Sequence, residues 1–333
     1  VKREISVAFQ TDKTANQYIA LAKQVDHYDF DAVTVYCDAP FHPAFAALLL
    51  MAPHIKKARI GPAAIPPSRI HPIDIAAQTA LLADLAAGGV YIGFARGAWL
   101  EDHGIREIRP AIQAIRESVE ATHYMLSGDS GGYQGQIYRI ADHVKAPYPL
   151  PDAKIPILIG TWGKTLCAVA GEIADEVKIG GTANPDVVPV IRDYIAVGEK
   201  RVGRAFGTVG VVVGAVTVVD DDRQQARQAA RRSVALYLPV VTPLDPTVSV
   251  EPELMTRVRE HVNADDLDSA AELISDDLLD RFAFSGDAND LIRQAEALFD
   301  AGASRVEFGT PHGLIPSEGV RLIGERVIPA LRR

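Results

Sequence analysis

The chain has 333 residues, 48% hydrophobic and 23% charged, with a formal net charge of -9; this balance buries a large core unaided and, lacking long Lys/Arg runs, argues against nucleic acid as a partner. Cys37 and Cys167 stand far apart with no metal-ligand spacing around either, which predicts free thiols, a reducing cytoplasmic setting and no metal. The longest apolar stretches, 44 to 52 and 209 to 219, fall short of the roughly 20 residues that span a bilayer, and the chain opens without an apolar leader, so no membrane partner is expected.

In chain order, SVAF (6 to 9) reads as a first strand. After Thr14, residues Tyr18, Leu21, Ala22 and Val25 follow helical spacing. AVTVY (32 to 36) is the second strand, and Phe45, Leu48, Leu49 and Ala52 repeat the helical stripe. RIGPAAI (59 to 65) and VYIGF (90 to 94) are the third and fourth strands. A Gly- and Pro-punctuated insertion, about 128 to 154, predicts a hairpin before the fifth strand, PILIG (156 to 160). EVKIG (176 to 180) and GVVVGAVTVV (210 to 219) follow. Residues 220 to 300 form a second insertion of helices around a Pro-rich loop, expected to act as lid, substrate wall and subunit contact. RVEFG (305 to 309) is the eighth strand. Continuous apolar strands alternating with helices predict a parallel sheet, and eight repeats predict one (β/α)8 TIM barrel over residues 1 to 333. An open Rossmann-like sheet is the alternative.

Barrel ligands bind at strand C-termini. Those positions hold Gln10 to Asp12, Cys37-Asp38, Pro66 to Ser68, Arg96-Gly97, Thr161 to Lys164, Gly180 to Thr182 and Thr310 to Gly313. There is no GxSxG elbow, Walker loop, GxGxxG after the first strand or metal-ligand cluster, which points to chemistry supplied by an organic cofactor. The turn Thr161-Trp162-Gly163-Lys164-Thr165 before a helix reads either as a plain turn with a Thr N-cap or as an anion site of free amides and Lys164. Asp38 reads either as a cap of the following helix or as a carboxylate facing a ligand. His42 and His312 sit in Pro-flanked mouth loops and, with Trp99, are candidates for substrate contact. Glu101, Asp102 and His103 form a charged loop that could also supply a proton donor. His71 reads as a helix-start residue. Glu307, between Val306 and Phe308, points into the barrel if the strand alternates, where it needs a partner.

Five stretches carry a family resemblance: residues 30 to 48, 59 to 99, 131 to 140, the GTWGKTL and AGEIADEVKIGGTANPD blocks within 160 to 186, and 284 to 313. Together the chain resembles the luciferase-like superfamily, in its deazaflavin-dependent branch near methylenetetrahydromethanopterin reductase. The resemblance implies a luciferase-like barrel that uses coenzyme F420, with FMN as the alternative cofactor, to pass a hydride to or from a small organic substrate. It implies a cofactor site of Asp38, Ala63, Ala64, Arg96, Thr161, Trp162, Gly163, Lys164, Thr165, Gly180 and Gly181, with a cis bond between Ala63 and Ala64. Asp38, Glu101 and His103 are the catalytic candidates, and a homodimer is expected. The rivals are an FMN-dependent monooxygenase and a non-catalytic flavin-binding barrel. The chain departs from the family where Asp-His is usual: it has Asp38-Ala39, so no catalytic His carries over there. The family's Asn-Pro stands as Pro66-Pro67, and its SGGR-like turn as AAGG (86 to 89).

Overall fold

The computed structural model describes residues 3 to 333. β1 (Glu4–Phe9) leads to α1 (Ala15–His27), whose start is fixed by Thr14: its hydroxyl accepts from the Gln17 amide, and the Gln17 side chain accepts from the Thr14 amide. β2 (Ala32–Val35), α2 (Ala44–Met51), β3 (Arg59–Pro62), α3 (Pro72–Leu85), β4 (Ile92–Ala95) and α4 (Ala111–Ser127) continue the alternation. An antiparallel hairpin, β5 (Tyr133–Gln134) and β6 (Arg139–Ile140), occupies the first insertion as expected. It is tied to α4 by the Glu117 carboxylate, which accepts from the amides of Gln136, Ile137 and Tyr138 at 2.8 to 3.0 Å. Burial would raise that carboxyl, but these bonds and Gln113 hold it below the usual range.

β7 (Ile157–Gly160), α5 (Lys164–Ile173), β8 (Glu176–Gly180), α6 (Val187–Arg201) and β9 (Gly210–Val219) follow. The second insertion folds as α7 (Arg223–Ala235), α8 (Leu238–Val241), α9 (Pro252–Asn263), α10 (Leu267–Glu272), α11 (Asp276–Phe282), β10 (Ala283–Gly286) and α12 (Ala288–Asp300). Then come β11 (Arg305–His312), α13 (Pro316–Leu322) and α14 (Ile328–Leu331). Val234, Leu238, Val258, Leu279 and Phe282 pack the insertion around an apolar cluster separate from that between barrel and outer helices.

Eight parallel strands are hydrogen-bonded in the order β3, β2, β1, β11, β9, β8, β7, β4, and single bridges Ile60–Val90 and Ile65–Phe94 close the ring. This is the (β/α)8 TIM barrel, not the open sheet. β10 was not expected from the sequence. It pairs with the far half of β9, from Ala283 opposite Val216 to Gly286 opposite Val219, beyond the point where β8 ends. Its four residues, AFSG, show no alternation, so their extended form comes from the available edge of β9.

Contacts between strands that are not neighbours identify the side chains inside the barrel. At the N-terminal end Arg59 Nη2 lies 2.6 Å from Glu4 Oε2 and 2.9 Å from Glu176 Oε1, while Arg305 Nη2 lies 2.7 Å from Glu176 Oε2. Further along the axis Glu307 pairs with Lys178 and accepts from the Thr34 hydroxyl, which is 2.5 Å from Tyr91 OH. Glu307 therefore has the partner its inward position requires. Both cysteines are free and buried. Among the described residues no helix is long and apolar enough to cross a membrane, and no His/Cys/Asp/Glu group is arranged to hold a metal.

His312 illustrates the cost of burying an ionisable group in this wall. Its ring packs 5.0 Å from that of Phe9 and its Nε2 donates to Ala8 O at 3.1 Å. Burial pushes the imidazole down from 6.5 to about 4. The unfolded chain then binds a proton that the folded one refuses, so stability falls as pH drops from 6.5 toward 4 and this group adds no further loss below that. His123, also lowered by burial, acts with the same sign. Urea unfolding of His312→Gln across this window is expected to show a flatter pH dependence than the parent, by about 3 kcal/mol at most; parallel curves would mean that the histidine is protonated in the fold.

Candidate active site

One half of the barrel mouth is floored by residues with almost no side chain. The half-buried Ala95, Gly160 and Gly180 end β4, β7 and β8, and the half-buried Ala64 stands two residues past β3. A Cβ added at Gly160 would sit 3.3 Å from Ala95 Cβ and 3.6 Å from Ala64 Cβ, and one at Gly180 would meet nothing within 4 Å. Such a floor leaves room for a flat ring. The Ala63–Ala64 bond is cis, as the resemblance implied. Arg96, also at the end of β4, is exposed and paired with Glu107, which Arg109 contacts at 3.1 Å.

The turn from β7 into α5 closes one edge of this floor. Gly163 is the N-cap and carries no side-chain cap; Thr161 Oγ1 instead accepts from the Gly163 amide at 3.0 Å. Neither Thr161 nor Thr165 caps the helix, so its first turn keeps amides and dipole for an anion. Gly163, Lys164 and Thr165 are exposed, and the Lys164 ammonium lies 5.8 Å from the Tyr194 ring centroid. Trp162 Nε1 donates to Gly180 O at 3.2 Å, joining this turn to the end of β8. Gly181 takes φ +81°, and its amide donates to Gly214 O at 2.7 Å. The uncapped amides at the start of α5 thus lie beside the side-chain-free floor, a setting that suits an anion such as a phosphate.

The other half of the mouth carries functional groups. Asp38 is exposed at the end of β2 and accepts from Gln10 Nε2 at 2.9 Å; it does not cap α2, whose N-cap is Pro43. Behind it Arg69 donates to Cys37 O. His42 is exposed, with Nδ1 3.4 Å from Tyr18 OH. Trp99, half exposed at φ 53°, precedes a one-turn 3-10 helix of Glu101, Asp102 and His103, all exposed, with His103 Nδ1 2.7 Å from Trp99 O. His312 is near the rim in sequence, but its ring is buried in the wall. His71 caps α3 through Nδ1, 3.3 Å from the Ile73 amide.

Two residues overlooked in the sequence reach this half. Tyr36, the residue after β2, has its hydroxyl pushed well above 10, first by burial and then by the charges of Glu307 and Asp38, so it stays protonated. Lys178 on β8 holds its ammonium 5.1 Å from the Tyr36 ring centroid. The signal was present: in EVKIG, Glu176, Lys178 and Gly180 share one face of a strand that must be buried.

The chain is 27% identical over 325 residues to a 5,10-methylenetetrahydromethanopterin reductase of Archaeoglobus fulgidus, covering 95% of each. It is 26% identical over 276 residues to an F420-dependent glucose-6-phosphate dehydrogenase of Nakamurella multipartita, covering 80% of this chain and 75% of that one. The solved coenzyme F420-dependent tetrahydromethanopterin reductase of Methanopyrus kandleri has the same fold, with a TM-score of 0.90, 23% identity and coverage of 99% and 100%. Residues 3 to 305 match the model of the luciferase-like monooxygenase family, and the chain belongs to that family.

Proposed function

We propose that this protein is a cytoplasmic coenzyme F420-dependent oxidoreductase acting on a small organic substrate. The observation that carries the reading is the open floor of Ala64, Ala95, Gly160 and Gly180 beside the uncapped start of α5. The F420-dependent names of its relatives support the choice of deazaflavin. When bound, the deazaflavin supplies a ring carbon that gives or takes a hydride. The chain supplies placement and shielding. Amides at the first turn of α5, from Lys164 onward, with the Lys164 ammonium, hold the phosphate, and the small floor lets the ring lie against backbone. Trp162, bonded to Gly180 O, and Tyr237 of the second insertion, whose ring a Cβ at Gly181 would meet at 3.5 Å, keep water from its edges. Asp38, oriented by Gln10, accepts a hydrogen bond at the reacting side of the mouth and fixes the donor that approaches it.

Titrating the apoprotein with each cofactor is expected to show tighter binding of F420 than of FMN. Preference for FMN with oxygen uptake would make the protein a monooxygenase, and failure to bind either would leave a non-catalytic barrel.

Asp38→Asn preserves size but removes the charge. Single-turnover oxidation of bound reduced cofactor is expected to slow on the order of 100-fold while the melting temperature holds. A variant that melts early but reacts at the parent rate would assign Asp38 a structural task and shift attention to Glu101, His103 and His42.

The proposal extends to a homodimer through α2 and α3. These neighbouring helices turn Leu50, Leu81 and Leu85 outward, at 37%, 53% and 38% exposure, and large apolar side chains on adjacent exposed faces favour association. Sedimentation is expected to give a dimer mass, and Leu81→Glu combined with Leu85→Glu a monomer; a dimer that survives both changes uses another face.

A further inference from the structure

The Lys178–Glu307 pair is not accounted for by packing. Its neighbours along β8, Val177 and Ile179, are fully buried apolar residues, and apolar pairs of similar volume often replace buried ion pairs without loss of stability. Glu307 is enclosed: its side chain is 1% exposed, one oxygen faces Lys178 and the other accepts from Thr34. Lys178 is 10% exposed. Toward the N-terminal end the barrel is shut by Glu4, Arg59, Glu176 and Arg305. Toward the C-terminal end the next inward residue of β8 is Gly180, where a Cβ would meet nothing. The exposed part of the lysine therefore opens onto the floor of the mouth. Among the described residues Glu307 is its hydrogen-bond acceptor, so the remaining N–H groups are free for a ligand. Tyr36 packs against the ammonium from the side.

We propose that Lys178 is the electrostatic residue of the ring site, holding a positive charge under the cofactor so that its reduced form is favoured over its oxidised form. The inference rests on the F420 reading above. A hydride carries two electrons and one proton, so a ring that accepts it gains one negative charge and the donor loses one. Lys178 acts by its charge and hydrogen bonds and forms no covalent bond. A cation fixed in place in a poorly solvated site interacts with that charge more strongly than water would. Glu307, Thr34 and Tyr36 are positioning residues that hold the ammonium there.

The test measures dissociation constants for oxidised and reduced F420 separately, by anaerobic fluorescence titration. Lys178→Met is expected to weaken binding of the reduced form by about tenfold more than that of the oxidised form, the scale of a lost bond to a charged group. Lys178→Arg should keep the parent ratio. Because Lys178→Met strands Glu307, the double variant Lys178→Met with Glu307→Gln, which leaves no unpaired charge at this level of the barrel, is measured beside it and is expected to show the same change. Equal weakening of both redox states, or an unchanged ratio in the double variant, would reduce the pair to a structural element and overturn the inference. A parent protein that binds FMN but neither form of F420 would overturn the cofactor reading instead, and this inference with it.

Discussion

A closed barrel must fill its own interior, and here much of the filling is charged. Strand alternation sends Glu4, Glu176 and Glu307 inward together with Arg59, Arg305 and Lys178, three acids against three bases. Each charge is tolerable only because an opposite one is within hydrogen-bond reach, since an unpaired buried ion costs several kcal/mol. The effect is visible on Glu307: burial alone would raise its carboxyl, yet Lys178 and Arg305 keep it below the ordinary range. The arrangement also fixes the register of the strands, because a one-residue slip of β8 would send Glu176 and Lys178 outward into the apolar layer between barrel and helices.

That register determines the mouth. With Lys178 inward, Gly180 is inward too, and the floor opens beside the ammonium. β9, ten residues long, runs past the end of β8, and β10 takes the exposed edge. Because β10 belongs to the second insertion, the pairing draws that insertion over the mouth, where a Cβ at Gly181 would meet Val241 at 2.9 Å and Tyr237 at 3.5 Å. A buried polar knot secures it: Asn184 Nδ2 donates to Asp245 at 2.9 Å and Thr247 at 2.8 Å, and Arg281 donates to Asn184 Oδ1 at 3.0 Å. The wall over the floor is thus positioned by bonds between residues up to about a hundred apart in the chain.

What could be read in advance follows from the range of the interactions involved. All eight barrel strands and the hairpin were legible, because apolar runs and turn residues act locally. β10 was not, since its partner lies some 65 residues away. In the site, the turn at Thr161 to Thr165 and the mouth positions of Asp38 and Gly180 followed from strand ends alone. Tyr36 and Lys178 were missed because strands were judged by overall hydrophobicity, although the inward faces of AVTVY and EVKIG already held them. The burial of His312 could not be inferred, for its Pro-flanked loop looks open until β1 supplies Phe9 and the Ala8 carbonyl.

The two halves of the mouth are built from different materials, with consequences for specificity. The floor and the α5 edge use backbone and absent side chains, features that any sequence keeping the glycines and alanines preserves. The opposite half uses side chains on loops after β2 and β4, where one substitution changes charge or shape without disturbing the strands. Asp38 followed by Ala39 is such a case: the carboxylate is retained and oriented by Gln10, while the neighbouring position offers no ring nitrogen. A scaffold divided in this way can hold one kind of cofactor while its partner substrate varies. This accounts physically for how proteins named for a pterin derivative and for a sugar phosphate can both be relatives of one chain.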